Sequence, residues 1–235
     1  MKWLCKKLFH ILLFLSFIIV AVGVCFGVQG YLVYDDAVKQ MSLEERVEKI
    51  QSMENFTHYN DLSDFYINAV ISIEDRRFEE HQGIDLIAVG RAIWIDLKEM
   101  SWAEGGSTIT QQVAKNMMFS QDKKLKRKFA ECFAAMELEN IYNKEEIFEL
   151  YVNTAYFGSG YYGIYDAAQG YFNKLPSELT DYEAAMLAGL PNAPSVYSPD
   201  TNPELAKQRT MQVIQSMLAN QLLTQEQVNQ ILDEH

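Results

Sequence analysis

The chain has 235 residues, 49% of them hydrophobic, and a formal net charge of −12. That length suits an N-terminal anchor followed by one large domain or two small ones, and the acidic balance argues against a general nucleic-acid binder. Cys5, Cys25 and Cys132 show no CxxC or Cys/His spacing, and no GxxxxGK[ST] or GxGxxG occurs, so no structural disulfide, zinc site or bound nucleotide is expected.

Lys2, Lys6 and Lys7 precede an apolar run from Leu8 to Val28, and the next acidic or basic residue after Lys7, histidine aside, is Asp35. At ~1.5 Å per residue a helix of this length crosses the ~30 Å hydrocarbon core of a bilayer. The run exceeds the apolar stretch of a cleaved signal peptide, and the lysines favour a cytoplasmic N-terminus with an exported remainder. Residues 1–30 are therefore expected to be a cytoplasmic tip and a single transmembrane anchor. Residues 31–62 read as a connecting segment, with a short helix opened by Ser42 and Glu45 as a capping box and carrying Leu43, Val47 and Ile50 at helical spacing. The domain itself is expected over residues 63–235.

Asp64 is a candidate N-cap for a helix through Phe65, Ala69 and Ile73. This helix delivers Glu74 and Asp75 near its end, ahead of Arg76, Arg77, Phe78, His81 and Gly83. A carboxylate at the end of an apolar helix suits a catalytic acid or base: burial raises its pKa, and open backbone beyond it admits substrate. A solvated acidic helix end has the same composition. Ile84 to Trp102 is unusually apolar for an exposed segment. Its tryptophans, Trp94 and Trp102, suit a membrane interface, while Arg91, Asp96, Lys98 and Glu99 rule out a second span. Residues 84–102 are expected to form a membrane-facing lip, with Ile87 and Val89 as core positions; packing of the whole segment inside the domain is the alternative.

Gly105 and Gly106, followed by Ser107 and Thr108, read as a tight turn into a helix whose free N–H groups suit an anion such as phosphate. Gln112, Lys115 and Asn116 share one face of that helix; an ordinary capped helix with a polar face gives the same pattern. A basic run from Lys123 to Lys128 follows, then Glu131. On a helix, Arg127, Lys128 and Glu131 sit together, and Phe129, Cys132, Phe133 and Met136 form the opposite, apolar face. Such a cluster in an acidic protein suits a phosphorylated substrate, and equally a solvated or membrane-facing surface.

Helical spacing continues from Lys144 through Tyr151. Residues 153–164 are rich in glycine and tyrosine, and the tyrosines either line a cleft or pack. Helices resume around Ala167 to Phe172, over Asp181 to Leu190, and in two closing segments, Glu204 to Asn220 and Thr224 to Leu232. Strand alternation is nearly absent, so the fold is expected to be mainly α.

Five segments in order resemble one family, the family 51 glycosyltransferases that polymerise lipid II into peptidoglycan. They are Glu74-Asp75-Arg76-Arg77-Phe78 with His81 and Gly83; Gly105 to Gln112 with Lys115 and Asn116; Arg127-Lys128 with Glu131; the block from Lys144 to Phe172; and Glu183-Ala184-Ala185 through Leu190-Pro191-Asn192-Ala193-Pro194-Ser195. Together they span about residues 60–200. The chain ends soon after the last of them, which resembles the monofunctional branch. Lys123 stands where some relatives carry Arg; the charge is kept but bidentate pairing with phosphate is lost.

The resemblance implies a lysozyme-like, two-lobed helical domain behind a single transmembrane helix in a bacterial plasma membrane, with the domain extracytoplasmic. It implies inverting transfer from a lipid-pyrophosphate-linked glycan to the 4-hydroxyl of the GlcNAc of lipid II. Glu74 would be the general base, supported by Asp75. Glu131 would position the donor, a metal ion or the neighbouring cations. Lys115, Arg127 and Lys128 would neutralise the departing pyrophosphate. Phe78, His81, Ser107, Thr108, Gln112, Asn116 and Lys123 would complete the substrate site. No protein metal cage and no tightly bound cofactor is expected, with room for a divalent cation (Mg or Mn) at the pyrophosphate. The expected partners are lipid II, the lipid-linked glycan chain, the bilayer and other cell-wall synthesis proteins, and no nucleic acid. Two glutamates in a lysozyme-like fold also suit a glycan-cleaving enzyme, but cleavage of a neutral glycosidic bond has no need of the basic cluster. A non-catalytic scaffold would have no need of Glu74, Lys115 and Glu131 together.

Overall fold

The computed structural model describes residues 2–99, 106–119 and 125–233. The expectations placed on Met100, Trp102, Gly105 and Lys123 lie outside the described residues. Among the described residues the fold is helical, with no strand and one antiparallel bridge between Tyr156 and Tyr162. The helices are α1 (Lys2–Gln40), α2 (Leu43–Gln51), α3 (Asp64–Glu74), α4 (Leu86–Glu99), α5 (Ile109–Met118), α6 (Leu125–Ile141), α7 (Lys144–Thr154), α8 (Ile164–Phe172), α9 (Asp181–Gly189), α10 (Pro194–Tyr197), α11 (Pro203–Ala219) and α12 (Gln225–Asp233).

The anchor helix does not stop near residue 30. It runs unbroken to Gln40, and its portion Phe9–Gln40 is the one described helix long and apolar enough to cross a membrane. Its C-terminal part lies along α6. Phe26 stacks on Phe129 at 6.2 Å and Tyr31 meets Phe133 edge-on at 5.5 Å. Gly30 makes the approach possible, because a Cβ there would run into Phe129. The apolar stripe of α6 is thus not a core face of the domain: Phe129 and Phe133 serve the anchor. The small residues Ala130, Ala134 and Ala135, with Leu138, face inward and let the neighbouring helices come close.

Ser42 and Glu45 form the expected capping box on α2, with Ser42 Oγ accepting from Glu45 N at 3.2 Å and Glu45 Oε2 from Ser42 N at 2.8 Å. Leu43, Val47 and Ile50 enter the main hydrophobic core, so α2 is a working part of the domain rather than a spacer. Arg46 on α2 caps two helix C-termini at once. Its guanidinium donates to Ala37 O and Met41 O at the end of α1, both at 3.1 Å, and to Met117 O of α5 at 2.9 Å.

The N-cap of α3 is Ser63, whose hydroxyl accepts from Tyr66 N at 3.1 Å; Asp64 is the first helical residue, where its charge suits the helix dipole. The core lies among α3, α5, α7, α9 and α11. α7 is its axle, with Ile147, Phe148, Leu150, Tyr151 and Val152 all buried; a side chain such as Phe148 contributes about 1.5–3 kcal/mol by burial. Gly83 takes φ +84° and lets the turn after α3 press on α6, since a Cβ there would sit 2.8 Å from the Ala135 backbone. Asp85 caps α4 by accepting from Ile87 N at 2.8 Å and Ala88 N at 2.9 Å. The Arg77 guanidinium beside it pulls its carboxyl down to about 2.

α4 stands at the surface. Ile87 is 65% exposed and Trp94 70% exposed. The expected core position of Ile87 is therefore overturned. The Asp85 cap starts the helix at the edge of the domain, and Ile87 lies on its outward first turn; Val89 is half-buried.

Candidate active site

Glu74 is the last residue of α3, and its side chain keeps 8% exposure. Its Oε2 accepts a hydrogen bond from Gln112 Nε2 on α5 at 2.8 Å. Its Oε1 is buried, accepts no hydrogen bond, and lies 3.6 Å from Arg209 Nη2 on α11. Burial pushes the Glu74 carboxyl above the usual range, against the pull of Gln112, Arg209 and Lys115. It can therefore hold a proton at a pH where an ordinary glutamate cannot.

α5 and α6 pack against one another beside it. Lys115, one turn after Gln112, sits in the field of both Glu74 and Glu131. Burial depresses its ammonium, Glu131 pulls it back up, and Lys128 and Arg127 depress it further. Glu131 on α6 is 1% exposed and meets two cations, Arg127 Nε at its Oε1 and Lys128 Nζ at its Oε2, each at 2.9 Å. Lys128 also donates to Ser107 Oγ at 2.6 Å. Glu74, Gln112, Lys115, Arg127, Lys128, Glu131 and Ser107 are thus one connected constellation. Asn116 is half-buried on the same helix.

Other expected site residues fall behind this surface. Phe78 is buried in the core. Asp75 is buried and accepts from His81 Nε2 and from Ile109 N, both at 2.9 Å. His81 is buried too; its carbonyl accepts from Lys144 Nζ at 2.7 Å. Thr108 caps α5, and its hydroxyl donates to Gly83 O at 2.7 Å. None of these four presents a surface to a substrate. They pin the end of α3 to the start of α5, and so set the distance from Glu74 to Gln112. The same contacts take up N–H groups at the α5 N-terminus, where an anion site was expected. Thr108 N donates to Gln111 Oε1, Gln111 N to Thr108 Oγ1 and Ile109 N to Asp75, so protein acceptors already meet these three donors.

Arg209 was not among the expected residues. The available signal is its place on the inward stripe of α11, with Ala206, Thr210, Val213 and Met217; a charged residue at such a position needs a partner. As for metals, no cluster of three His, Cys, Asp or Glu side chains suited to an ion occurs among the described residues. Both Glu131 oxygens already face cations, so the donor set here does not fit a resident metal.

The Transglycosylase family profile matches residues 40–218, which takes in the whole constellation and leaves out nearly all of α1. Penicillin-binding protein 1A of Neisseria lactamica is 46% identical over 179 residues, 76% of this chain and 22% of that protein. The protein of the same name from Neisseria gonorrhoeae is 46% identical over the same coverage. Penicillin-binding protein 2D of Bacillus subtilis is 41% identical over 174 residues, 74% of this chain and 25% of that protein. The chain spans about a quarter or less of the length of these relatives. A match of this extent over a lysozyme-like helical fold means that the chain belongs to the transglycosylase family, the family 51 glycosyltransferases.

Proposed function

We propose that the chain polymerises lipid II into β-1,4-linked glycan strands and releases undecaprenyl pyrophosphate. The observation that carries this reading is the pairing of a buried carboxylate of raised pKa, Glu74, with the cations Lys115, Arg127 and Lys128 on the adjoining helices. Glu74 takes the proton from the 4-hydroxyl of the acceptor GlcNAc. The freed oxygen forms a bond to the anomeric carbon of the donor sugar. The bond from that carbon to the phosphate oxygen breaks, and its electron pair leaves on the pyrophosphate. Attack opposite the leaving group turns an α-linked phosphate into a β linkage. Lys115, Arg127 and Lys128 stabilise the charge that gathers on the pyrophosphate, and Glu131 holds the last two in place. A divalent cation would enter with the pyrophosphate rather than on a protein cage.

Membrane attachment by α1, with a cytoplasmic N-terminus and an extracytoplasmic domain in a bacterial plasma membrane, fits a lipid-borne substrate. The basic N-terminal residues Lys2, Lys6 and Lys7 support that orientation. The exposed apolar side chains of Leu86, Ile87 and Trp94 support α4 as a lip at the outer membrane surface that guides the lipid tail. Lipid II, the lipid-linked glycan chain, the bilayer and cell-wall synthesis proteins are the partners this reading assigns. The test is incubation of the purified chain with lipid II and separation of the products by size. Glycan polymer is expected. No polymer, or shortening of a preformed polymer, would refute the reading.

A further inference from the structure

Arg209 reaches Glu74 from α11, beyond the five segments that carry the family resemblance. Its guanidinium is fixed from several sides. Nε donates to Gly189 O and Nη1 to Gln212 Oε1, both at 3.1 Å, and the Tyr197 ring centre lies 5.6 Å from the guanidinium carbon. Held in this way, its remaining nitrogen stops 3.6 Å from Glu74 Oε1, beyond hydrogen-bonding distance. Oε1 is the buried oxygen of the carboxylate, and Gln112 serves the other.

On the reading of Glu74 as the general base, we propose that Arg209 is its positioning residue, keeping the carboxylate ionised and aimed from the core side without engaging its lone pairs. Two limits frame the role. A charge-assisted hydrogen bond from arginine at contact distance drives a carboxylate pKa far down and weakens the base. A buried carboxylate with no nearby cation stays protonated. A fixed cation just outside hydrogen-bonding distance lies between these limits.

The other groups around Glu74 do not replace it. Tyr66 comes from its own helix, Asp75 directly follows it and Tyr151 comes from α7; burial drives both tyrosines upward, so they stay neutral. Asp75 opposes ionisation of Glu74, and its own contacts go to His81 and Ile109. On α5, Gln112 is neutral and Lys115 is shared with Glu131. α9 also packs on α3 and carries Asp181, Tyr182 and Glu183; Glu183 is paired with Lys174, and Tyr182 bonds with Thr210. Arg209 is the cation that faces Glu74 from the core side, with its Nη2 at 3.6 Å.

The experiment compares pH–rate profiles and melting temperatures for the full chain, Arg209→Gln and Arg209→Lys, with lipid II as substrate. In Arg209→Gln the acid limb is expected to move up by about 1–3 pH units, with the rate recovering at higher pH, and Arg209→Lys is expected to bring the limb back toward wild type. A merely structural role would lower the rate at every pH and leave the limb in place, which would overturn the proposal. Should Arg209→Gln fail to fold, Gly189→Ala serves instead. A Cβ there would come within 2.8 Å of Arg209 Cγ and shift the guanidinium without deleting it. The same upward movement is expected, and an unmoved limb in folded Gly189→Ala overturns the proposal. Infrared titration of the Glu74 carboxyl, assigned by difference against Glu74→Gln, needs no turnover. The band should titrate at higher pH in Arg209→Gln than in wild type; an unshifted band overturns the role of Arg209. Absence of polymer from the wild type overturns the transferase reading alone.

Discussion

Glu74 and Glu131 are the same side chain at nearly the same depth, and the structure treats them differently. Glu131 sits mid-helix on α6 with a cation 2.9 Å from each oxygen. Glu74 ends α3 with one neutral amide at 2.8 Å and its nearest cation at 3.6 Å. Glu131, matched by two contact cations, acts as a fixed countercharge for Arg127 and Lys128. Glu74, buried with weaker compensation, is poised to accept a proton. Burial alone therefore does not select the base; the number and distance of its cations do.

The widest break between the two should come from Glu74→Gln. Loss of a general base costs about 10²–10⁴ in rate, so polymerisation should fall by that factor in a protein that stays folded. Near-normal turnover would remove Glu74 from its role. Stability should move the other way. The folded-state pKa of Glu74 is raised, so its ionised form burdens the fold above that pKa, and the burden vanishes below the unfolded value. At neutral pH the melting temperature of Glu74→Gln should equal or exceed that of wild type, with the difference closing as the solution is acidified.

The cations come next. Lys115→Ala and Arg127→Ala should each slow turnover by an amount comparable to a lost oxyanion donor, about 2.7–4 kcal/mol. Unchanged rates in both would mark them as surface charges. Glu131→Gln sharpens the comparison through stability. It strips Arg127 and Lys128 of their shared counterion, and a melting-temperature loss worth about 1–3 kcal/mol is expected, toward the low end because Lys128 is 41% exposed. A Glu131→Gln protein as stable as Glu74→Gln would erase the distinction between the two sites. The smallest effect on the fold should come from Trp94→Glu: a stability change within about 0.5 kcal/mol, with a raised KM for lipid II in vesicles. A stability loss as large as that of Glu131→Gln would place Trp94 in packing and remove the lip.

Much of this was legible in the sequence, and the reasons differ by element. The helical class, the Ser42 capping box and the placement of Glu74 at a helix end follow from local chemistry that the chain carries beside them. The face on which a polar residue points is not local. Asp75, His81 and Thr108 have the side chains of a site, and they serve as buried ties between α3 and α5 because each finds a backbone or side-chain partner there. Phe129 and Phe133 read as an apolar face, and an apolar stripe does not say which neighbour covers it; here the neighbour is α1. Arg209 was hidden by distance along the chain, although its seat on the inward stripe of α11 was visible in the spacing.

The unbroken course of α1 has a geometric consequence. With Gly30 pressed on α6 and Arg46 clasping the helix end, anchor and domain turn as one piece. A helix of 39 residues rises about 58 Å, and a bilayer takes up only ~30 Å of it. For a helix set in a membrane, the remainder is a mast of set height, and the mouth of the site stands at a set distance above the surface. One residue inserted between Val28 and Gly30 would turn the lower part of α1 by about 100° against α6 and carry Phe26 off Phe129, while lifting the domain only ~1.5 Å. The stiff joint between mast and domain, more than the span itself, is what such an insertion would break.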